Sequence, residues 1–229
     1  MVENFDAIII FHIFGFGINA TIFSTWIVMA ILLILAKLAT KDLSNSIDGK
    51  VSRLQIAMEA IVKGINDQIR EASGTNPMIF MPMIGTFFLF IGVSNLLSII
   101  PWFMPPTASL STTVSYAMCV AIAMPYYGIK HVGIVRYLKK YIEPTPIMLP
   151  FNIIGDIASI FSLAVRLYGN VLSGCVIGTI LLSLAPYLIP LPLQILGLLT
   201  GTIQAYIFSM LAIMYISSIG LEEENKLIR

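Results

Sequence analysis

Apolar residues occur along this chain in long runs that are separated by short polar segments. Five runs are long enough to cross a bilayer, since a spanning helix needs about 20 residues. They do not alternate with period two, and backbone that faces lipid must satisfy its own hydrogen bonds, which favours helices. The pattern therefore predicts an all-α polytopic membrane protein with five membrane-spanning helices. The predicted spans lie near residues 19–38, 77–100, 109–128, 151–185 and 193–221.

Residues 44–72 have a different pattern, in which apolar positions recur at helical spacing with charged residues between them. This predicts a cytoplasmic amphipathic helix that lies on the membrane or under a partner. A second basic, partly amphipathic stretch runs from Lys130 to Tyr141. Residues 5–17 are apolar but too short to cross, so we interpret them as an interfacial part of an outer N-terminal segment, residues 1–18.

The last two apolar runs are longer than one crossing requires. Residues 151–185 would form a helix of about 52 Å at 1.5 Å per residue, whereas the hydrocarbon core is about 30 Å thick. Pro186, Pro190 and Pro192 separate the two runs. We therefore expect a long antiparallel hairpin over residues 151–221, tilted strongly from the membrane normal.

The basic residues predict the orientation of the chain. All but one of the 13 lysines and arginines fall in residues 37–72, in residues 130–143 or at the C-terminus. The loops at 101–108 and 185–192 carry no charge. Since basic loops stay in the cytoplasm, we expect the C-terminus to be cytoplasmic and the N-terminus to be outside.

Composition agrees with a membrane protein and excludes other classes. The chain is 58% hydrophobic and 11% charged, against about 25% charged residues in globular domains. A net charge of +1 gives no electrostatic basis for nucleic-acid binding. Cys119 and Cys175 both lie in predicted spans and have no metal-site or disulfide spacing. No phosphate loop, zinc-protease motif or assembled Ser/His/Asp set occurs, so we expect neither an enzyme nor a bound cofactor.

The remaining basic residue, Arg166, lies inside the fourth apolar run. Asp156 is the only other charge between Glu143 and Glu222. A cation at bilayer depth costs about 2.5–3.5 kcal/mol on insertion scales, so it is rarely kept without a function. Asp156 is ten residues away, or about 15 Å along a helix, too far for a close ion pair. The sequence therefore indicates that another chain supplies the anion for Arg166.

A polar stripe surrounds Arg166 along one side of the predicted helix. Its members step by three or four residues: Ser159, Ser162, Arg166, Asn170 and Ser173. Gly197, Thr200 and Gln204 have the same spacing on the next helix, and Gln204 can face the first stripe across the hairpin.

Structural interpretations of these residues are also open. Arg166 can snorkel to an interface, and the serines can simply bond backbone carbonyl groups. Gly155 and Gly174 can form a packing surface. Asp156 can be a helix N-terminal charge favoured by the dipole instead of an ion-pathway group.

The segment Ser162-Leu-Ala-Val-Arg166-Leu-Tyr168-Gly-Asn170, with Gln204 on the next helix, closely resembles subunit a of F-type ATP synthases. The family pattern is Ser-Leu-x-x-Arg-Leu-Phe-Gly-Asn, with Tyr168 here in place of Phe. Further matches are Asn95-Leu-Leu-Ser-Ile-Ile-Pro101, Pro106-Thr-Ala and Leu149-Pro-Phe-Asn152. The resemblance covers roughly residues 20–221.

The resemblance implies a stator subunit that packs against a rotating ring of c subunits and against the b subunits of the peripheral stalk. The essential carboxylate of each c subunit would be the anion for Arg166, which would separate two aqueous half-channels. The resemblance assigns ion translocation to Arg166, Asn170, Gln204, Asp156, Ser162 and Ser173. We expect one integral membrane domain over residues 1–229. The lack of a transit peptide and the short length favour a bacterial plasma membrane, and an organelle-encoded copy is the alternative.

The chain departs from the family where many relatives have acidic or histidine residues. Those positions are Ser98, Ser109, Cys175 and Gly197 here. The translocated ion is therefore left open between H⁺ and Na⁺. A stand-alone ion channel or secondary transporter is the alternative function, although we find neither the internal repeats nor the broken helices typical of transporters.

Overall fold

The computed structural model of the protein describes residues 9–13, 16–40, 53–73, 77–100, 103, 105–142, 145, 147–184 and 190–227. Within these ranges the chain is largely helical, and the predicted helical class is confirmed. The helices are α1 (Ala20–Thr40), α2 (Arg53–Ser73), α3 (Met81–Leu97), α4 (Leu110–Val132), α5 (Ile134–Ile142), α6 (Met148–Leu184) and α7 (Pro190–Leu227). Short 3₁₀ helices at Pro77–Ile79 and Pro106–Ala108 precede α3 and α4.

An antiparallel strand pair near the N-terminus differs from the all-α expectation. Strands β1 (Ile9–Ile13) and β2 (Phe16–Asn19) pair with an irregularity between Ile9 and Phe11. This segment is rich in isoleucine and phenylalanine, which favour strands, and it is too short to form a spanning helix. Residues 1–8 and 14–15 of the predicted outer segment lie outside the described residues, and its interfacial location stays a prediction.

Three of the described helices are long and apolar enough to cross a membrane: α1, and the stretches Met148–Gly178 of α6 and Gln194–Ser217 of α7. Helix α3 is apolar but has only 17 residues. Helix α4 has 23 residues but is not among the three, and Ser111, Thr112, Thr113 and Ser115 in its first two turns lower its apolar character. The count of five spans stays a prediction.

The two long helices of the predicted hairpin are both present. Helix α6 has 37 residues and α7 has 38, so each is about 56 Å long at 1.5 Å per residue. Their prolines lie in the first turns, where a missing N–H costs nothing. The side-chain amide of Asn170, 14 residues before the end of α6, donates to the carbonyl of Thr200, 10 residues into α7. The two helices therefore run antiparallel, while residues 185–189, with Pro186, lie outside the described residues.

The amphipathic helix predicted over residues 44–72 corresponds to α2, and residues 44–52 lie outside the described residues. Its buried residues Ile65 and Ile69 join a core with Ile216 of α7. The inner apolar face of α2 is therefore covered by this chain itself. Ile56 and Val62 remain exposed. The second amphipathic stretch corresponds mainly to α5.

The core lies where α3, α4, α6 and α7 meet. The ring of Phe87 contacts those of Phe208 on α7 and Tyr116 on α4 edge-on, with centroids 5.7 and 5.9 Å apart. Leu163 and Leu167 bring α6 into the same cluster. One side of α6 is thereby fixed against the bundle, and its opposite side is left open.

Candidate functional site

Packing of α6 determines which of its residues are available to a partner. Leu163, Ala164 and Leu167 are buried in the bundle. Since a helix has 3.6 residues per turn, residues on the opposite side of α6 point away from the core. Ser162 and Arg166 are exposed, together with a row of large apolar side chains on the same helix: Phe151, Ile154, Ile157, Phe161 and Val165.

Arg166 makes no ion pair or hydrogen bond with any residue that the structure describes. It is the nineteenth of the 37 residues of α6, about 27 Å from either end. That central position favours an intramembrane charge over a snorkelled one. The described part of the chain supplies no anion for Arg166, as its sequence spacing from Asp156 predicted.

Asn170 connects the two helices of the hairpin. Its Nδ2 donates to the carbonyl oxygen of Thr200 at 3.3 Å. Ser173, one turn farther on, donates its hydroxyl to the carbonyl of Asn170 at 3.0 Å. Ser173 therefore bonds a backbone carbonyl, as the structural interpretation of the serines expects. Ser159 is half-buried and Ser162 is exposed.

Gln204 is buried at 6% exposure, and its Nε2 has no hydrogen-bond partner among the described residues. No described hydrogen bond therefore connects Gln204 to the polar stripe of α6, and its position facing that stripe stays a prediction. An unpaired buried donor is destabilising by about 1–3 kcal/mol.

Asp156 lies at the junction of α5 and α6. The hydroxyl of Tyr141 donates to its Oδ2 at 2.6 Å, and the Tyr137 and Tyr141 hydroxyl oxygens are 3.1 Å apart. Burial and the hydrogen bonds to Asp156 and Tyr137 raise the pKa of Tyr141 far above its usual range. Asp156 is the ninth residue of α6, beyond the first turn in which a helix dipole acts strongly.

A buried polar group that the sequence analysis did not single out links α3 to α7. The Asn95 Nδ2 donates to the carbonyl of Gly201 at 2.8 Å, and the Thr107 hydroxyl lies 3.4 Å from its Oδ1. Asn95 and Thr107 are both buried. Both residues fall in segments that resemble the family, and that resemblance was the signal in the sequence. Residue spacing does not reveal that Asn95 contacts Gly201, 106 residues later in the chain.

The positions where the resemblance implies titratable groups in the family are built from neutral groups here. The Ser98 hydroxyl donates to the Asn95 carbonyl at 2.6 Å, and Ser109 is buried. The carbonyl of Gly197 accepts a bond from the Thr200 hydroxyl, and the side chain of Cys175 lies outside the described ones. Among the described residues no group of three or more His, Cys, Asp or Glu could hold a metal ion.

The fold and this site define a class of protein: a polytopic helical membrane protein that presents, on the open face of a long hairpin helix, an arginine with no ion pair among the described residues. Comparisons with known proteins then identify the family. The family model described as ATP synthase A chain matches residues 22–217. The chain belongs to this family.

Curated relatives agree over nearly the whole chain. The chain is 52% identical to ATP synthase subunit a 2 of Acaryochloris marina, over 92% of this chain and 89% of that protein. It is 48% identical to ATP synthase subunit a 1 of Crocosphaera subtropica, covering 93% and 92%. It is also 48% identical to ATP synthase subunit a of Albidiferax ferrireducens, covering 92% and 90%.

Proposed function

We propose that this chain is the ion-translocating stator subunit of an F-type ATP synthase, with Arg166 as the charge that separates two offset half-channels. The observation that carries the proposal is the position of Arg166. It is unpaired among the described residues, central in α6 and exposed beside apolar side chains. A partner that covers this face must be apolar and must bring an anion, as a ring of c subunits with membrane carboxylates would.

Arginine suits this role because it stays protonated in essentially any protein environment. A carboxylate that faces lipid holds its ion, since its charged form is poorly solvated there, whereas a nearby cation stabilises the charged form. Arg166 therefore releases the ion from each arriving carboxylate. It does not relay a proton itself, so it blocks a direct leak between the half-channels.

The other site residues have supporting roles. Asn170 and Gln204 order water at the contact with the ring, Gln204 from its buried position, and Ser162 presents its hydroxyl on the open face next to Arg166. Asp156 lines the half-channel on the cytoplasmic side. Ser173 supports Asn170, which is consistent with its hydrogen bond to the Asn170 carbonyl.

The proposed assembly follows from this arrangement. The chain forms one integral membrane domain with five spans, an outer N-terminus and a cytoplasmic C-terminus, in a bacterial plasma membrane. Its partners are the c ring, the b subunits, the lipid and the translocated H⁺ or Na⁺. Nucleotide chemistry takes place on other subunits, and this chain is not itself an enzyme.

The test is ATP-driven ion uptake and passive ion leak in vesicles that carry the assembled complex, with and without sodium. Arg166→Ala should abolish pumping while the complex still assembles, because nothing then displaces the bound ion or blocks the leak. Lys130→Ala is the matched control, since it removes a cation at the exposed end of α4, 5.8 Å from the ring centre of Tyr126, and should pump normally.

Each outcome of this experiment has a defined meaning. Normal pumping by Arg166→Ala would contradict the proposed role of Arg166. A chain that is stable and active without a c ring would instead support a stand-alone channel or transporter. Dependence of wild-type uptake on sodium would identify the ion as Na⁺, and independence would identify H⁺.

A further inference from the structure

Tyr141 of α5 hydrogen-bonds the only carboxylate described within the long hairpin helices before their C-terminal end, and Tyr137 hydrogen-bonds Tyr141. We propose that Tyr141 is a positioning residue that holds Asp156 in place to exchange ions with the aqueous phase. The inference rests on the proposed function, since it concerns the half-channel that Asp156 would line. It assigns a role to α5, which is not part of the hairpin.

The hydrogen bonds have a defined direction. Tyr141 has one hydroxyl proton, which it donates to Asp156 Oδ2 at 2.6 Å. The Tyr137 hydroxyl, 3.1 Å from that of Tyr141, must therefore be the donor to the Tyr141 oxygen. The two rings pack at 60° with centroids 5.4 Å apart. This buried Tyr137 and half-buried Tyr141 form a chain of hydroxyls that ends on the carboxylate.

The local sequence explains why these groups meet. Gly133 ends α4 with φ +89°, a conformation that other residues rarely adopt, and α5 begins directly after it. Tyr137 and Tyr141 then lie four residues apart on one face of α5. On α6, Asn152 and Asp156 have the same separation, and Asn152 Nδ2 donates to the Tyr141 carbonyl at 3.2 Å. Tyr141 thus joins α5 to α6 twice, through its backbone carbonyl to Asn152 and through its hydroxyl to Asp156.

The chemistry of this contact suits a carboxylate that binds and releases an ion. The hydrogen bond that the structure describes for the Asp156 carboxylate comes from a neutral hydroxyl and not from a fixed cation. The neutral hydroxyl of Tyr141 donates a hydrogen bond to Oδ2, whereas Oδ1 accepts none from the described residues. Among the described residues, Oδ2 is therefore held in place and Oδ1 is left to bind an ion. Because the pKa of Tyr141 is raised, its hydroxyl remains a donor and does not become a competing anion.

The test uses the assembled complex in vesicles and measures the half-saturating concentration of the transported ion on the α5 side, separately from the maximal rate. Tyr141→Phe should lower that concentration about tenfold, which corresponds to about 1.4 kcal/mol, because the donated hydrogen bond stabilises the charged, ion-free carboxylate and its loss makes the ion bind more tightly. The same substitution should have no further effect in an Asp156→Asn background. A purely structural role would lower the yield of complex or its maximal rate and leave the half-saturating concentration unchanged.

Three matched variants define the alternatives. Asn152→Ala breaks the backbone contact between α5 and α6 but keeps the Tyr141 hydroxyl, and should shift the half-saturating concentration much less than Tyr141→Phe does. Tyr126→Phe on α4 should have no effect, since that ring lies against Tyr127 and Lys130. Tyr137→Phe should give a smaller shift in the same direction, and it replaces Tyr141→Phe if the latter does not assemble.

The inference is overturned if Tyr141→Phe, or Tyr137→Phe in its place, leaves the half-saturating concentration unchanged. It is also overturned if Asn152→Ala shifts it equally, or if the effect persists fully in the Asp156→Asn background. Any of these results, with pumping still abolished by Arg166→Ala, would leave the proposed function intact. Normal pumping by Arg166→Ala would contradict the proposed function instead.

Discussion

The backbone carbonyl of Gly201 on α7 accepts a 2.8 Å hydrogen bond from the buried side-chain amide of Asn95 on α3. The absence of a side chain at Gly201 allows this approach, since a Cβ placed there would lie 2.9 Å from Asn95 Cβ and 3.0 Å from its Cγ. Small residues at helix contacts commonly permit such close packing in membranes. The contact holds α7 against α3 one turn before Gln204.

Gly201→Ala should destabilise the protein, because neither the Asn95 side chain near its Cβ nor the helix backbone can move freely. Overpacking of this kind costs about 1–3 kcal/mol. The measurement is the thermal unfolding temperature of the purified complex in detergent. Gly197→Ala, one turn earlier on α7, is the control, since a Cβ there meets nothing within 4 Å. Equal unfolding temperatures for the two variants would show that the close approach has no energetic importance.

Gly133→Ala should weaken the turn between α4 and α5 through backbone strain alone. A Cβ at Gly133 meets nothing within 4 Å, but its φ of +89° is unfavourable for alanine, and such strain costs about 1–3 kcal/mol. Because α5 starts at this turn, the variant should also disturb the Tyr141–Asp156 contact. Thermal unfolding and the ion half-saturation assay measure the two effects.

Gly64→Ala is the control for the loss of stability expected in Gly133→Ala. Gly64 lies within α2, where an added Cβ would likewise meet nothing within 4 Å, and its helical backbone accepts alanine. The stability of this variant should be unchanged or higher by up to about 1 kcal/mol. A loss of stability equal to that of Gly133→Ala would contradict the assignment of strain to the positive φ.

Gln204→Met should separate stability from function. The substitution keeps the approximate volume of a buried side chain while removing the Nε2 that has no partner among the described residues. We expect a gain of about 1–3 kcal/mol in stability, since an unsatisfied buried group is removed, together with slower ATP-driven pumping. Gln194→Met, at an exposed position of α7, should change neither. Unimpaired pumping by Gln204→Met would remove Gln204 from the proposed site.

The segments that fold as helices could be predicted closely because long apolar runs have few alternatives in a membrane. The fourth and fifth runs, predicted at 151–185 and 193–221, correspond to α6 and α7 without an internal break. The β1–β2 strand pair was not predicted. In a short apolar segment, hydrophobic pattern alone does not distinguish a strand from a helix.

The candidate site was predicted unevenly. Arg166 was recognisable because a charge within an apolar run is costly wherever the helix lies. The buried environment of Gln204 could not be predicted from the sequence, because it depends on how α7 rotates against its neighbours. The Tyr141–Asp156 contact was missed for a related reason: the same-face pairs on α5 and α6 were visible, but nothing in their spacing says that the faces meet.

The sequence by itself determined the membrane class, the long hairpin helices and the lack of a close anion for Arg166 within α6. These follow from local quantities: run length, helical rise and the cost of a charge in lipid. Only the tertiary structure decided that Arg166 faces outward, that Asn95 binds the Gly201 carbonyl and that Tyr141 holds Asp156. Those contacts depend on the rotation and approach of whole helices, which the packing of Leu163, Leu167 and Phe208 sets collectively.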